Sequence, residues 1–189
     1  MRPFILAAIL ATSARFAGAA DIYALDASHS QILFSYDHMG YSTTWGMFSG
    51  FEGEISFDKE DPAASSVAVS MPTKAMFTGW EARTEQFLSE GFFGATDKDS
   101  ITFVSRRIEI TGENTADITG DLSMNDVTRS VVLAARLNQT GMHMISNKAW
   151  IGFDATTTLL RSEFGLGQFA PFISDEVSVQ ISIEAGKVN

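Results

Sequence analysis

The segment FEGEISFD, residues 51–58, alternates apolar and polar side chains at every position. Phe51, Gly53, Ile55 and Phe57 share one side of this pattern, and the residues between them are Glu, Glu, Ser and Asp. A repeat of two residues is typical of a β-strand with one buried and one solvated face. The stretch therefore predicts a half-buried strand.

The same repeat continues over most of the chain beyond residue 30. It is found at 32–36, 67–71, 101–103, 108–110, 118–124, 131–137, 142–144, 149–153 and 177–183. Turn-forming residues separate the segments, as in KEDP at 59–62 and TGEN at 111–114. Eight or nine short strands with one apolar face each predict an antiparallel sheet that curls or closes. Because closure removes unpaired edges, we expect an all-β barrel of about eight strands.

One segment departs from the strand pattern and predicts an amphipathic helix near 79–90. Thr78 and Glu81 have the spacing of a capping box, and Gly91 is suited to end the helix. An apolar stripe at helical spacing contains Trp80, Thr84, Phe87 and Leu88. Such a helix buries its stripe by docking at one end of the barrel.

The first twenty residues have the pattern of a secretory signal peptide. Arg2 precedes the apolar run FILAAILA at 4–11, and small residues follow at 17–20. The chain contains no Cys, which suits an oxidising compartment. We therefore expect residues 1–20 to be removed, residues 21–189 to form one domain, and the mature protein to be periplasmic.

The charge of the remaining chain excludes several classes of partner. Removing Arg2 and Arg15 leaves 11 Lys and Arg against 23 Asp and Glu, a formal net charge of −12. This balance repels nucleic acid and anionic lipid surfaces. No later stretch has the length of a membrane helix, so we expect no stable membrane insertion.

The signals for catalysis and for metal binding are weak. The three His residues are His29, His38 and His143, and none forms a pair at metal-ligand spacing. The best candidate catalytic pair is His38 with Asp37 or a nearby Ser, which would act on a bound ligand. We assign no catalytic residue and no metal ligand, and we expect a protein that is not an enzyme.

Aromatic residues and glycines leave the interior of the barrel undecided. The chain has 15 Phe, 3 Trp and 3 Tyr, and many of its 15 Gly lie beside them. An eight-stranded barrel is at the size where side chains either fill the interior or leave room for one ligand. Composition is compatible with a hollow barrel and with a filled one.

The chain resembles the YceI-like family of exported lipid-binding proteins over nearly all of its mature length. The motifs that carry the resemblance are YALD (23–26), HS (29–30), HMG (38–40), GMF (46–48), FEG (51–53), FD (57–58), DP (61–62), SSV (65–67), residues 83–93, ITF (101–103), GDLS (120–123), VTR (127–129) and RSEFGL (161–166). The resemblance implies an extended, lipocalin-like antiparallel barrel whose apolar tunnel holds a polyisoprenoid chain. It therefore implies a hollow interior.

The resemblance also implies a set of ligand-binding residues. They are Phe34, Tyr36, His38, Phe48, Phe51, Trp80, Arg83, Phe87, Phe92, Phe93, Arg161, Phe164 and Leu166. Arg83 and Arg161 are the candidates for meeting a phosphate or quinone oxygen at the tunnel mouth.

Two departures from the family pattern lie near the helix. The family usually has Arg-Asp-x-His-Leu where this chain has RTEQF at 83–87, and Asp where this chain has Gly91. A role of that His or Asp in binding a head group does not carry over. Phe87 in place of Leu makes the entrance bulkier.

These observations favour a periplasmic carrier or reservoir for a long isoprenoid lipid, either a prenyl phosphate or a quinone. No catalytic cofactor is expected, and a homodimer is compatible with this interpretation. The alternatives are a binder of another amphiphile such as a fatty acid or its amide, a hydrolase or isomerase that uses the same pocket, and a filled barrel that acts as a stress or interaction protein.

Overall fold

A computed structural model describes residues 20–188 of the chain. Within that range the chain forms eleven strands and one α-helix. They are β1 (Asp21–Leu25), β2 (Gln31–His38), β3 (Ser42–Ser49), β4 (Glu52–Phe57), β5 (Ser66–Pro72), β6 (Met76–Phe77), α1 (Glu81–Leu88), β7 (Ser100–Gly112), β8 (Thr115–Met124), β9 (Val127–Met142), β10 (Ala149–Leu160) and β11 (Glu176–Lys187). The predicted signal segment lies outside the described residues, except for Ala20.

Eight of these strands close into a barrel. Hydrogen-bonded neighbours follow the order β1-β4-β5-β7-β8-β9-β10-β11, and β11 pairs back with β1. Every pairing is antiparallel. The prediction of an extended, lipocalin-like antiparallel barrel of about eight strands, with one helix near one end, is confirmed.

Strand β11 divides its pairing between two partners. Its last residues pair with β1, and Ser178–Ser182 pair with β2. The hairpin of β2 and β3, together with β6, thus continues the wall beyond β1 and β4. The barrel is therefore longer on this side than any single strand there.

A buried serine joins the two halves of this wall. The Ser30 hydroxyl oxygen accepts a hydrogen bond from the Glu184 backbone N–H at 3.2 Å. The Asp26 backbone N–H donates to the Glu184 carbonyl at 2.8 Å. Because Glu184 lies where β11 changes partner, these bonds satisfy backbone groups that the strand ladder leaves free.

The inward-facing side chains show that the barrel is hollow. On β9, Val131, Leu133 and Leu137 face inward but are only half-buried, while the alternate residue Val132 is exposed on the outer face. In a filled interior these side chains would be close-packed on all sides. Their residual exposure is to the lumen.

The close-packed part of the core consists of two clusters of buried side chains. Tyr23, Ile55, Ile151 and Ala185 form a buried cluster at the β1 end of the barrel. A larger cluster surrounds the lumen; its buried members are Phe48, Phe51, Met71, Met76, Ile101, Phe103, Leu122, Phe164 and Leu166.

The predicted capping box is wrong in detail. The helix begins at Glu81, and its N-cap is Trp80 without a side-chain cap bond. The Thr78 hydroxyl donates instead to the Trp80 carbonyl at 3.0 Å and lies 2.9 Å from the Thr84 hydroxyl. Thr78 therefore fastens the approach to the helix and does not cap its first turn.

Other details also differ from prediction. The helix ends at Leu88 with Ser89 as its C-cap, and Gly91 lies beyond it. β9 ends at Met142, because the chain turns where a strand was expected at 142–144. β1 and β6 were not predicted, and β3 lies outside the segments that show the two-residue repeat. Among residues 20–188, no helix has the length and apolarity needed to cross a bilayer.

Candidate functional site

A cavity of about 690 Å³ occupies the barrel interior. This volume is within the range of small-molecule sites, about 300–1,000 Å³. The cavity extends from the end that carries α1, near His38 and Trp80, to the turn between β7 and β8, near Glu113 and Asn114. Its lining includes exposed residues at both ends.

Aliphatic side chains from the long strands line the middle of the cavity. Val69, Ile118, Leu133 and Leu159 project into it from β5, β8, β9 and β10. Each strand contributes alternate residues, because successive side chains of a strand point to opposite faces. The middle of the cavity is therefore suited to an apolar chain.

A line of aromatic contacts forms the mouth at the helix end. Ring centroids lie 6.1 Å apart for Tyr36 and Phe87, 5.4 Å for Phe87 and Phe92, and 6.4 Å for Phe92 and Phe169. These rings connect β2, α1 and the loops after α1 and β10. Trp80 at 62% and Phe169 at 58% exposure carry the apolar lining out to the surface.

Arg83 places a cation at this mouth. Its side chain lines the cavity, and the guanidinium carbon lies 5.8 Å from the centre of the Trp80 ring. Within residues 20–188, Arg83 takes part in no ion pair and no hydrogen bond of its side chain. Its donors remain available to an anionic group.

Arg161 also lines the cavity, but backbone carbonyls engage its guanidinium. It donates to the oxygens of Ser174 at 2.8 Å, Ile173 at 2.9 Å and Gln168 at 2.7 Å, and also to that of Leu166. Burial lowers the pKa of this guanidinium from its usual value. The geometry gives Arg161 a structural task, which is to hold the loop between β10 and β11.

All thirteen residues predicted as ligand contacts line this cavity. They do so in different ways, since Phe51 and Phe164 are 1% exposed and pack in the core while Tyr36 and Phe92 are half-buried at the mouth. The prediction missed the aliphatic middle, whose members include Val69, Ile118, Leu133, Leu159 and Val179. The two-residue repeat of the long strands was the signal that could have identified them.

Of the candidate catalytic pairs, His38 with Asp37 is not assembled, whereas Ser42 lies opposite His38 on β3 and lines the same cavity. His38 lines the cavity, whereas the Asp37 carboxylate accepts a hydrogen bond from the Gly40 backbone N–H at 2.7 Å. As neighbours on β2, the two side chains point to opposite faces of the sheet.

A cluster of Asp26, His29 and Glu184 lies at the junction of β1, β2 and β11, and its ligand atoms are within 4.8 Å of one another. His29 Nδ1 lies 2.7 Å from Asp26 Oδ2, and Glu184 accepts a hydrogen bond from the Trp150 indole at 2.8 Å. Bonds within the protein thus already engage all three side chains.

Comparison with known proteins identifies relatives over the whole barrel. The family model described as the YceI-like domain matches residues 23–185. A UPF0312 protein from Ectopseudomonas mendocina is 38% identical over 184 residues, which cover 95% of each chain. A UPF0312 protein from Azotobacter vinelandii is 34% identical and covers 94% of this chain and 95% of its own.

Solved structures share the fold at low sequence identity. BcnA from Burkholderia cenocepacia matches with a TM-score of 0.76 at 22% identity, covering 85% of this chain and 98% of its own. A polyisoprenoid binding domain from Saccharophagus degradans matches with a TM-score of 0.66 at 15% identity, covering 90% and 100%. Both have the barrel described above.

Proposed function

The chain belongs to the YceI-like family, and from this premise we propose that it binds a long isoprenoid lipid in the barrel cavity, as a periplasmic carrier or reservoir without a catalytic step. The observation that carries the proposal is the continuous apolar cavity of about 690 Å³. The structural neighbour from Saccharophagus degradans, a polyisoprenoid binding domain, supports the same class of ligand.

Energetics favours a long chain over a short one. Each buried methylene contributes roughly 0.8 kcal/mol, and micromolar affinity requires about 8 kcal/mol. Association and ordering cost about 4–15 kcal/mol more. About 15 to 30 buried methylenes are then needed. At about 30 Å³ for a group the size of water, the cavity of 690 Å³ holds roughly 20 such groups.

The mouth supports a ligand with one polar end. Arg83 offers a cation beside Trp80, where the apolar lining reaches the surface. A prenyl phosphate would pair its phosphate with this guanidinium, and a quinone would accept a hydrogen bond from it. The isoprenoid tail would then extend along the aliphatic middle of the cavity.

The test compares two adjacent residues on β9 that face opposite ways. Leu133→Arg introduces a charge into the lumen, whereas Val132→Arg introduces the same charge on the outer face, where Val132 is 48% exposed. Each protein would be purified from the periplasm of its own organism and extracted with solvent, and the extract analysed by mass spectrometry. Because an unpaired charge is costly in an apolar site, we expect Leu133→Arg to lose its lipid and Val132→Arg to keep it.

Each other outcome has a defined meaning. Wild-type protein without a stoichiometric lipid, or equal lipid content in both variants, would contradict the proposal. A fatty acid or its amide in place of a prenyl lipid would change the ligand class. Turnover of the lipid that is lost in His38→Ala, with binding intact, would identify an enzyme.

A further inference from the structure

Gly46 on β3 lies directly across from Phe34 on β2, and both residues are on the inner face of the barrel. A Cβ atom added at Gly46 would come within 3.0 Å of three atoms of the Phe34 ring, Cζ and both Cε. Real Cβ atoms essentially never approach other atoms this closely. The outer edge of the ring therefore rests on the glycine, and the ring crosses from β2 onto β3 along the wall.

The wall leaves no other place for this ring. Ile32 and Tyr36 occupy the same face of β2 on either side of Phe34, and Val179 occupies the paired position on β11. The Phe48 ring on β3 is also close, with its centroid 5.8 Å from that of Phe34. The free side of the ring is the cavity, which Phe34 already lines. A side chain at position 46 would therefore displace the ring into the lumen.

The contact between Gly46 and Phe34 lies partway along the tunnel, so it affects long ligands more than short ones. Phe34 is four residues inward from His38 at the mouth, a distance of roughly 13 Å at 3.3 Å per residue. A short ligand tail ends above this level, whereas a long tail must pass it. The space beside the flat ring is part of the route to the aliphatic middle of the cavity.

We propose that Gly46 determines the length of chain that the tunnel admits, because it allows the Phe34 ring to lie flat. The inference rests on the proposed function and adds a residue that sets ligand length. Gly46 does not contact the ligand through a side chain; it acts by positioning Phe34.

Two other glycines lie beneath aromatic rings, and one of them supplies a matched control. Gly186 faces the Trp150 ring, and a Cβ there would also come within 3.0 Å of ring atoms alone. This pair is not part of the cavity lining, because its neighbours Ile151 and Ala185 are the residues that point inward. Gly186→Ala therefore introduces a similar clash on the outside of the barrel.

The experiment measures binding of geraniol, farnesol and geranylgeraniol, three prenols of increasing length, to the wild type, Gly46→Ala and Gly186→Ala. In the wild type and in Gly186→Ala, affinity should rise with each added prenyl unit. In Gly46→Ala, geraniol binding should be retained, while geranylgeraniol binding should fall by about tenfold or more, as for a methylene-sized obstruction in an apolar pocket. Phe34→Ala combined with Gly46→Ala should restore it.

The outcomes separate the two proposals. A wild-type protein that binds none of the three prenols would contradict the proposed function. If the wild type binds all three prenols and Gly46→Ala shows the same dependence of affinity on prenol length, the proposed function stands while the proposed role of Gly46 is overturned. An equal loss for all three prenols in Gly46→Ala and in Gly186→Ala would also overturn it, since that result indicates general damage to the fold.

A second variant tests the same ring without a substitution at Gly46. Phe34→Ala removes the ring and widens the lumen at this level. The affinity for cholesterol, which is thicker than a prenyl chain, should then rise by about tenfold relative to that for geranylgeraniol. An unchanged ratio would show that the Phe34 ring does not limit the tunnel.

Discussion

The guanidinium of Arg161 donates a hydrogen bond to the carbonyl oxygen of Gln168 at 2.7 Å. This bond and those to Ser174, Ile173 and Leu166 join both arms of the loop between β10 and β11 to a single side chain. The loop contributes Phe169 to the cavity mouth. Arg161 therefore helps to shape the mouth by holding this loop in place.

Replacing Arg161 should destabilise the protein strongly. Arg161→Met retains a long apolar stem but removes every donor, so several partly buried carbonyls lose their partners. Hydrogen bonds to charged groups contribute about 1.5–3 kcal/mol each to stability, and the contributions of several bonds to one group are not additive. We expect a loss of about 3 kcal/mol or more in the free energy of unfolding, measured by urea denaturation.

Arg129→Met provides the control for Arg161. Arg129 is exposed at the start of β9 and bonds one neighbouring carbonyl, that of Thr128, at 3.0 Å. Its replacement should change stability by less than about 0.5 kcal/mol. Similar losses of unfolding free energy in Arg161→Met and Arg129→Met would contradict the role of Arg161 in holding the loop between β10 and β11.

Gly120 should tolerate no side chain. A Cβ there would meet two atoms of the Phe103 ring within 3.0 Å and the Val104 carbonyl oxygen at 2.7 Å. The ring could move, but the carbonyl belongs to the neighbouring strand β7. Gly120→Ala should therefore cost about 1–3 kcal/mol of unfolding free energy, as overpacking does.

A glycine with open space gives the opposite expectation. At Gly141 the nearest atom to an added Cβ is the Gln139 side-chain nitrogen, 3.9 Å away. Gly141→Ala should be neutral or stabilise the protein by about 0.5 kcal/mol, because alanine restricts the unfolded chain. Chemical denaturation of Gly120→Ala and Gly141→Ala measures both unfolding free energies. Equal changes in the two variants would show that the close contacts around Gly120 do not prevent it from accepting a side chain.

Most strands could be predicted because they carry a local two-residue repeat, whereas β1 could not because it has none. In DIYAL, residues 21–25, Tyr23 is the one buried residue, and the segment becomes a strand by pairing with both β4 and β11. Those partners are distant in sequence. The capping role of Thr78 failed for a related reason, since its hydroxyl bonds to Thr84 and the Trp80 carbonyl.

The hollow interior depends on cross-strand register, which single-strand patterns do not contain. Glycines beside aromatic residues were compatible with either interior. The register places Gly46 across from Phe34, so that the ring lies on the wall and leaves the lumen open. Similarly, the sequence shows Arg161 beside Phe164 but not the four carbonyls that surround its guanidinium.

The Asp26–His29 pair should make stability depend on pH in two directions. Hydrogen bonds from His29 and Ser28 lower the pKa of Asp26 to about 2, from an ordinary value of 3.8. The same pair raises the pKa of His29 above 6.5, through its bond with Asp26 and the charge of that carboxylate. The contribution of Asp26 is complete above pH 3.8 and is lost as the pH falls toward 2.

The contribution of His29 has the opposite sign with pH. It is complete below pH 6.5 and is lost as the pH rises through the higher pKa of the folded state. The pair should therefore stabilise the fold most between pH 3.8 and 6.5. Urea midpoints for the wild type and His29→Gln should differ most in this window and converge as the pH rises past the raised pKa of His29. A constant difference across pH would contradict the stabilising role of the pair.

Arg83 should discriminate between charged and neutral ligands. If it binds the head group, Arg83→Gln should weaken binding of geranylgeranyl phosphate by about tenfold or more, because a charge-assisted hydrogen bond contributes about 1.5–3 kcal/mol. Binding of geranylgeraniol should change little, since the tail site is intact. Added salt should reduce the wild-type preference for the phosphate, because Arg83 lies at the exposed mouth.

Two further proteins complete the test of Arg83. Arg83→Lys retains a point charge without the planar fork, so it should keep part of the preference for the phosphate. Arg129→Gln lies outside the cavity lining and should keep all of it. Equal losses of the alcohol and the phosphate in Arg83→Gln would show that Arg83 acts through the packing of its stem against Trp80, and the head group would then have to be bound elsewhere along the mouth.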